Sequence, residues 1–363
     1  MKRISAILLA CICTTISIKA FTVVDASSGD PVVAASVFDA RGAILGITDE
    51  KGNFATDATT RFPLSIRCVG YTNAEARSAA DDVILMDFCT YSLPEASVTA
   101  DRDGVRVICY MREYATLITD KDTTISFSEG MADVVLPLRP QSKGFKGWNS
   151  PRTLTTKTYN RIIHCDGSPD SLDSKNHNFF IAPILKFPPN EFQEPDELVN
   201  RETGRDTTYN KKMMREMRKT PSTFSVNIDG LANEENHTYS PNSLKLLGFT
   251  CDINELYMTA NYYRNGTSKY HTHDLFQMGF SVRAVLRGKM FKAIFNTKQP
   301  IDLKLRVEAY PVDFEYLTLE ECKQAHKERK TIPATEIRLP ANVPPLDPVT
   351  LRLVEQVNAL PKE

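Results

Sequence analysis

The sequence predicts a mainly β protein, with a first domain of short strands followed by a larger β-rich α+β region. Three observations carry that expectation. Short apolar segments with period-two alternation recur between turns rich in Gly, Pro, Asn and Asp. Helical periodicity is confined to a few stretches near the C-terminus and one basic segment. The chain has 363 residues, and single cores rarely keep growing past roughly 250 residues, which favours two domains. Hydrophobic residues at 42% and aromatics at 9% are enough to fill both cores. Lys plus Arg number 44 against 45 Asp plus Glu, a net charge of −1. No global field attracts nucleic acid or an anionic membrane, and nucleic acid is excluded as a partner.

Residues 1–20 are set apart from the fold. Lys2 and Arg3 precede an apolar run from Ile4 to Ile18, and Ala20 offers a small residue for cleavage before Phe21. This reads as a secretory signal, which makes the remainder an exported chain of the periplasm or outer-membrane surface. Two other readings compete. An N-terminal membrane anchor would need about 20 apolar residues, more than the run provides. Alternatively Leu8-Leu9-Ala10-Cys11 is a lipoprotein box with Cys11 lipidated, although the segment after Cys11 stays apolar where a polar tether is expected. No later segment approaches a membrane span. Beyond the leader, Cys68, Cys89, Cys109, Cys165, Cys251 and Cys322 are widely spaced without a CxxC, which argues against a zinc ribbon or a thioredoxin-type pair. An oxidising compartment permits disulfides, and Cys68 with Cys89 fits by position, both lying at strands of the first domain. Buried free thiols are the alternative.

From Phe21 the elements follow in order. FTVVD is a strand, and Ser27 to Pro31 are turn formers. Arg41 and Gly42 make a tight hairpin between Ser36-Val37-Phe38 and Ile44-Leu45. In TDEKGNFATD, Thr48 to Asp57, an EF-hand reading fails because Lys51 stands where an oxygen donor belongs and the twelfth position is Thr60. Gly52 is expected at positive φ in a turn, with Phe54 dropping onto the core. Leu64, Ile66 and Cys68 alternate with Ser65 and Arg67, predicting one buried and one wet face. Val83 to Met86 is a continuous apolar run, expected as a central strand.

The succession FTVVDASSGDPVVAASVFD, GITDEKGNF, FPLSIRCVGYTNAEA and LPEASVTA closely resembles the carboxypeptidase-regulatory-like domain of exported Bacteroidetes proteins, from Phe21 to Ala100. The resemblance implies a seven-stranded transthyretin-like β-sandwich without catalytic residues. Pro31, Val37, Thr48, Asp49, Gly52, Phe54, Gly70 and Tyr71 fall on its motif positions, all structural.

Residues 101–104, DRDG, read as a linker, and residues 105–363 as a second domain with a C-terminal helix. VICYMREYATLITDKDTTISFSEGMADVVLPL predicts two strands joined through Thr119 to Asp122. It also resembles, more loosely, a "YRE … E" tract of uncharacterised Bacteroidetes envelope proteins, with Tyr110, Arg112, Glu113 and Glu129 matching. ELYMTANYYRNG, LFQMGFSVRAVLRG, MFKAIFN and IDLKLRVEAYPVDFEYLT are expected as strands of a meander. In the last, Ile301, Leu303, Leu305 and Val307 share one face, while Asp302, Lys304, Arg306 and Glu308 make the other wet, which argues against a lipid-facing strand. Thr318 with Glu321 forms a capping box for TLEECKQAHKERK. Val349, Leu353, Val357 and Leu360 follow Asp347-Pro348 at helical spacing. Tyr209 to Thr220 carries Lys211, Lys212, Arg215, Arg218 and Lys219. It reads as a solvated helix over Met213, Met214 and Met217, or as a binding patch for an anionic glycan or lipid headgroup.

Two stretches hold candidate chemistry. In HTHD, His271 and His273 would share a strand face and could chelate one metal with Asp274 nearby, but no HExxH or HxxE partner accompanies them. In KGFKGWNSPR, Phe145, Trp148 and Asn149 have the composition of a loop that stacks on a sugar ring; the plainer reading makes Trp148 a packing anchor. Asp122-Thr123-Thr124, Asp170-Ser171-Leu172 and Asp206-Thr207-Thr208 look like short O-glycosylation acceptors of Bacteroidetes export. There is no GxSxG elbow and no glycine-rich phosphate loop, and no cofactor is indicated. The expected function is a non-catalytic binding or assembly role in the cell envelope, with a glycan or an envelope protein as partner. The competing class is a metal-dependent hydrolase using His271 and His273.

Overall fold

The computed structural model describes residues 19–57, 59–89, 102–138, 148–174, 187–188, 190–210, 213–232, 237–239, 250–297, 299–328, 331–341 and 343–361. Residues 1–18 of the predicted leader and Phe145 lie outside the described residues. The protein is mainly β. Seven short strands come first: β1 (Lys19–Asp25), β2 (Ser36–Phe38), β3 (Ile44–Ile47), β4 (Asn53–Thr56), β5 (Leu64–Arg67), β6 (Ala74–Ala76) and β7 (Val83–Met86). They form two sheets, ordered β4-β1-β7 and β3-β2-β5-β6, whose inner faces meet through Phe21, Val23, Val37, Leu64, Ile66 and Met86. β1 begins at Lys19, two residues before the expected cleavage point, and pairs there with Thr56 and Ala55.

The turn-forming residues act through the backbone. Asp49 Oδ1 accepts the N–H groups of Lys51 and Asn53 at 2.9 and 2.7 Å, so that oxygen is committed to the turn. Gly52 has φ 75°, and a Cβ there would stand 2.4 Å from the Val23 carbonyl oxygen. Thr48 Oγ1 accepts from Ala35 N–H and donates to Val32 O. Pro31 bridges to Val24, Phe54 packs on Phe21 with ring centroids 5.6 Å apart, and Tyr71 follows Gly70 at φ 93°.

The remaining strands are β8 (Gly104–Ile118), β9 (Asp122–Pro137), β10 (Trp148–His164), β11 (Ser171–Asp173), β12 (Glu191–Gln193), β13 (Gly204–Tyr209), β14 (Met214–Lys219), β15 (Thr223–Asp229), β16 (His237–Tyr239), β17 (Thr250–Tyr263), β18 (Lys269–His271), β19 (Leu275–Arg287) and β20 (Ile301–Leu317). Eleven of them build one sheet, ordered β11-β10-β9-β8-β20-β19-β17-β15-β14-β13, with β16 on β17. β12 and β18 make a separate two-stranded ribbon. Helices are few: α1 (Asp196–Val199), α2 (Lys289–Ile294), α3 (Leu319–Lys327) and α4 (Pro348–Asn358). Strand alternation gives the sheet two different faces. One carries the main core, including Val107, Met111, Phe224, Phe280 and Leu305. The other receives the sandwich.

That seating corrects several expectations. The β5 face carrying Ser65 and Arg67 is buried, because Arg67 inserts between Phe38 and Tyr114, its guanidinium carbon 4.7 and 4.3 Å from the ring centroids. There it pairs with Asp347, the N-cap of α4. The second face of β20 is covered too: Arg306 and Glu308 are buried, Arg306 Nη1 donates to Ser36 Oγ at 3.2 Å, and Lys304 Nζ donates to Leu45 O at 3.0 Å. β7 is an edge strand, not a central one, with Val83 57% and Leu85 62% exposed. MFKAIFN contributes a helix, α2, where Gly288 at φ 130° breaks from β19 and Phe291 and Phe295 pack on the core four residues apart. The basic stretch from Tyr209 to Thr220 ends β13 and forms β14, not a helix; Lys211 and Lys212 lie outside the described residues. Cys68 and Cys89 are not joined in a disulfide, and Cys68 Sγ lies 3.9 Å from Val33 O.

Candidate ligand cleft between sandwich and sheet

β13, β14, β15 and β17 lie side by side, and their register lines up two rows on the face toward the sandwich. One row is Arg205, Arg218, Ser225 and Asn261; the other is Thr207, Glu216, Asn227 and Thr259. The residues between them, such as Met217, Phe224 and Val226, enter the main core, so alternation alone collects the polar groups on one surface. Opposite them the sandwich presents Pro31, Val32, Val33, Val69 and Phe88. Between the two surfaces is a cleft of about 380 Å³, within the ~300–1,000 Å³ range of small-ligand sites.

Arg218 ties the two walls together. Its Nη2 donates to Ser28 Oγ at 2.8 Å and pairs with Asp30 at 3.0 Å and Asp25 at 3.6 Å, while Nη1 donates to Tyr71 OH at 3.4 Å. Asp25 closes β1 and starts the turn after it. Its Oδ1 accepts from Ser27 N–H, Ser27 Oγ and Ser28 N–H, and Oδ2 accepts from Tyr71 OH. Burial raises the Asp25 pKa, but these hydrogen bonds outweigh it and hold the carboxyl below its ordinary value. Tyr71 is shifted the other way, chiefly by burial. Arg205 lies 3.6 Å from Glu216 and 3.7 Å from Asp30.

Asn261 is 1% exposed, and its Nδ2 has no acceptor among the described residues. A Cβ at Gly70 would stand 2.9 Å from that nitrogen. Across the β17–β19 register Asn261 faces Gln277, which is 2% exposed and whose Oε1 has no donor among the described residues. Gln277 Nε2 donates to Tyr310 OH at 3.2 Å, and Tyr310 donates to Glu308. A buried polar seam thus runs from the cleft under the sandwich.

The sequence-derived candidates are dispersed. His271 ends β18 while His273 falls in a 3₁₀ turn, Thr272–Asp274, so they do not share a strand face as expected. Their rings stack 5.4 Å apart. His273 Nδ1 is 3.1 Å from Tyr316 OH, and Asp274 Oδ2 accepts from His271 N–H and Asn265 Nδ2. Among the described residues no group of three His, Cys, Asp or Glu is placed to hold a metal. Trp148 and Asn149 open β10, and their side chains lie outside the described set. Tyr110, Arg112 and Glu129 do meet: Tyr110 OH donates to Glu129 at 2.8 Å and Arg112 Nε donates to Tyr110 OH at 3.1 Å. Glu113 points to the opposite face by alternation.

One constellation joins two of the short acceptor motifs through His164. His164 Nδ1 is 2.7 Å from Asp122 Oδ1, and its Nε2 is 2.9 Å from Ser171 Oγ. The array fastens edge strand β11 to β10 and β9, at the opposite end of the sheet from the cleft. Sequence reasoning missed Ser225, Asn227, Thr259 and Asn261. The alternation in TFSVNID, with Phe224, Val226 and Ile228 against Ser225 and Asn227, was the available signal.

No protein-family model matches the chain, and no curated protein does. Among solved structures, one described as lipid–protein interactions in lipovitellin is similar over 60% of this chain and 26% of its own, at 6% identity and a TM-score of 0.27. The chain spans about a quarter of that protein, and a likeness this loose carries neither fold nor function.

Proposed function

We propose that this is an exported cell-envelope protein that works by binding, with its ligand in the cleft between the sandwich and the sheet. Export is supported by the basic-then-apolar leader of residues 1–20, and an envelope setting by the resemblance of residues 21–100 to the carboxypeptidase-regulatory-like domain. One observation carries the binding reading: two aligned rows of polar side chains face, across a space of about 380 Å³, a sandwich wall that is apolar at Pro31, Val32, Val33, Val69 and Phe88 and polar at Asp25, Ser27 and Asp87. Polar groups converging on a concavity with apolar surface beside them orient a ligand.

The test is Asn227→Trp, which places a large side chain on the cleft floor. Binding of the purified chain to envelope polysaccharides and peptides, read by gel retardation and native mass spectrometry, is expected to weaken at least about tenfold, about 1.4 kcal/mol. Binding that survives undiminished places the ligand elsewhere. The metal-hydrolase reading at His271 and His273 is less supported, since among the described residues no group of three His, Cys, Asp or Glu is placed to hold a metal ion.

A further inference from the structure

Resting on the cleft reading above, we propose that the ligand is an uncharged saccharide, held by its hydroxyls on the sheet and by its ring face on the sandwich. The argument starts from charge. Arg205 and Arg218 are already matched by Asp25, Asp30 and Glu216, and Asp87 adds another carboxylate to the lining. An anionic ligand would have to displace an existing partner and face an acidic surplus, so no charge in the site recruits one.

The second step is the division of the walls. Ser225, Asn227, Thr259 and Asn261 offer both donors and acceptors in register on neighbouring strands. Val32, Val33, Val69 and Phe88 offer no hydrogen bonds at their side chains and only apolar surface. A pyranose has this same division, with hydroxyls around its rim and C–H groups on its faces.

The third step is an unmet donor. Asn261 lines the cleft, and its buried Nδ2 has no acceptor among the described residues. A buried unsatisfied donor carries a desolvation cost, and a ligand oxygen reaching Asn261 would relieve it. A saccharide hydroxyl can accept from Asn261 while donating elsewhere in the cleft; an ammonium, which only donates, cannot accept from it. Solvent could take the same place, and the experiment separates the two.

The purified full chain and its variants Asn227→Trp and Asn261→Leu are titrated calorimetrically with short neutral oligosaccharides, with matched uronic or sulfated oligosaccharides and with a basic peptide. Neutral saccharides are expected to bind, Asn227→Trp to abolish binding, and Asn261→Leu to weaken it about tenfold. Asn261→Leu removes an unsatisfied buried donor, so its thermal midpoint is expected to equal or exceed the parent's while affinity falls. That split distinguishes a ligand contact from damaged packing. Acidic saccharides or the peptide binding in a manner sensitive to Asn227→Trp would overturn the neutral-saccharide assignment and leave the cleft reading standing. No binding by any probe would overturn the assignment. Neutral saccharides binding equally to parent and both variants would overturn both.

Discussion

Arg67 shows how far a single side chain's role depends on what covers it. In sequence it is a polar residue alternating with apolar neighbours, yet it is 2% exposed, sandwiched between two rings and paired with buried Asp347. Breaking such a pair leaves a desolvated charge behind, so Arg67→Ala is expected to lower stability by about 3–5 kcal/mol, read from the urea midpoint. Arg67→Leu with Asp347→Leu removes both charges and is expected to recover part of that loss. His273 sets an acid limit. Burial, reinforced by His271 and opposed by Asp274, lowers its pKa below the ordinary 6.5. Between that lowered value and 6.5 the unfolded chain binds a proton that the folded chain excludes, so stability falls as pH falls through this window. His273→Gln should flatten the fall, measured as the thermal midpoint against pH.

Secondary structure was most legible where a local rule acts without outside help. The α3 capping box forms as read, with the Thr318 hydroxyl accepting from Glu321 N–H and the Glu321 carboxylate accepting from Thr318 N–H. Thr318→Ala is expected to cost about 1 kcal/mol, checked by denaturant titration. α4 starts at its Asp347-Pro348 signal, and β8 and β9 turn at the predicted residues. Legibility failed where the deciding partner is remote. The apolar run of β7 identified a strand but not its place at an edge, and the polar faces of β5 and β20 gave no sign of being covered. MFKAIFN is short and apolar, a pattern periodicity cannot assign between strand and helix.

The sandwich and the long-stranded sheet are joined by contacts that neither could satisfy alone. Ile44 N–H donates to Thr116 Oγ1 at 2.8 Å, Arg306 Nη1 donates to Ser36 Oγ at 3.2 Å, and a Cβ on Gly279 would stand 2.1 Å from Val69 Cγ2. Gly279→Leu should therefore pry the two apart locally. The expected outcome is faster proteolysis within residues 19–89 while the sheet persists, followed by mass spectrometry of the fragments. If the sandwich were a loosely tethered module, the same substitution would leave its proteolysis unchanged.

By itself the sequence determined the β class, the main turns, the two longest helices and the apolar faces of β5 and β20, because those follow from neighbours a few positions apart. The tertiary structure alone decided which polar faces stay wet. Arg67, Arg306 and Glu308 lose solvent, and Asn261 joins a cleft, only because strands far apart in the chain are brought face to face; the free energy of a charged or amide group depends on that surrounding medium, which no local pattern records.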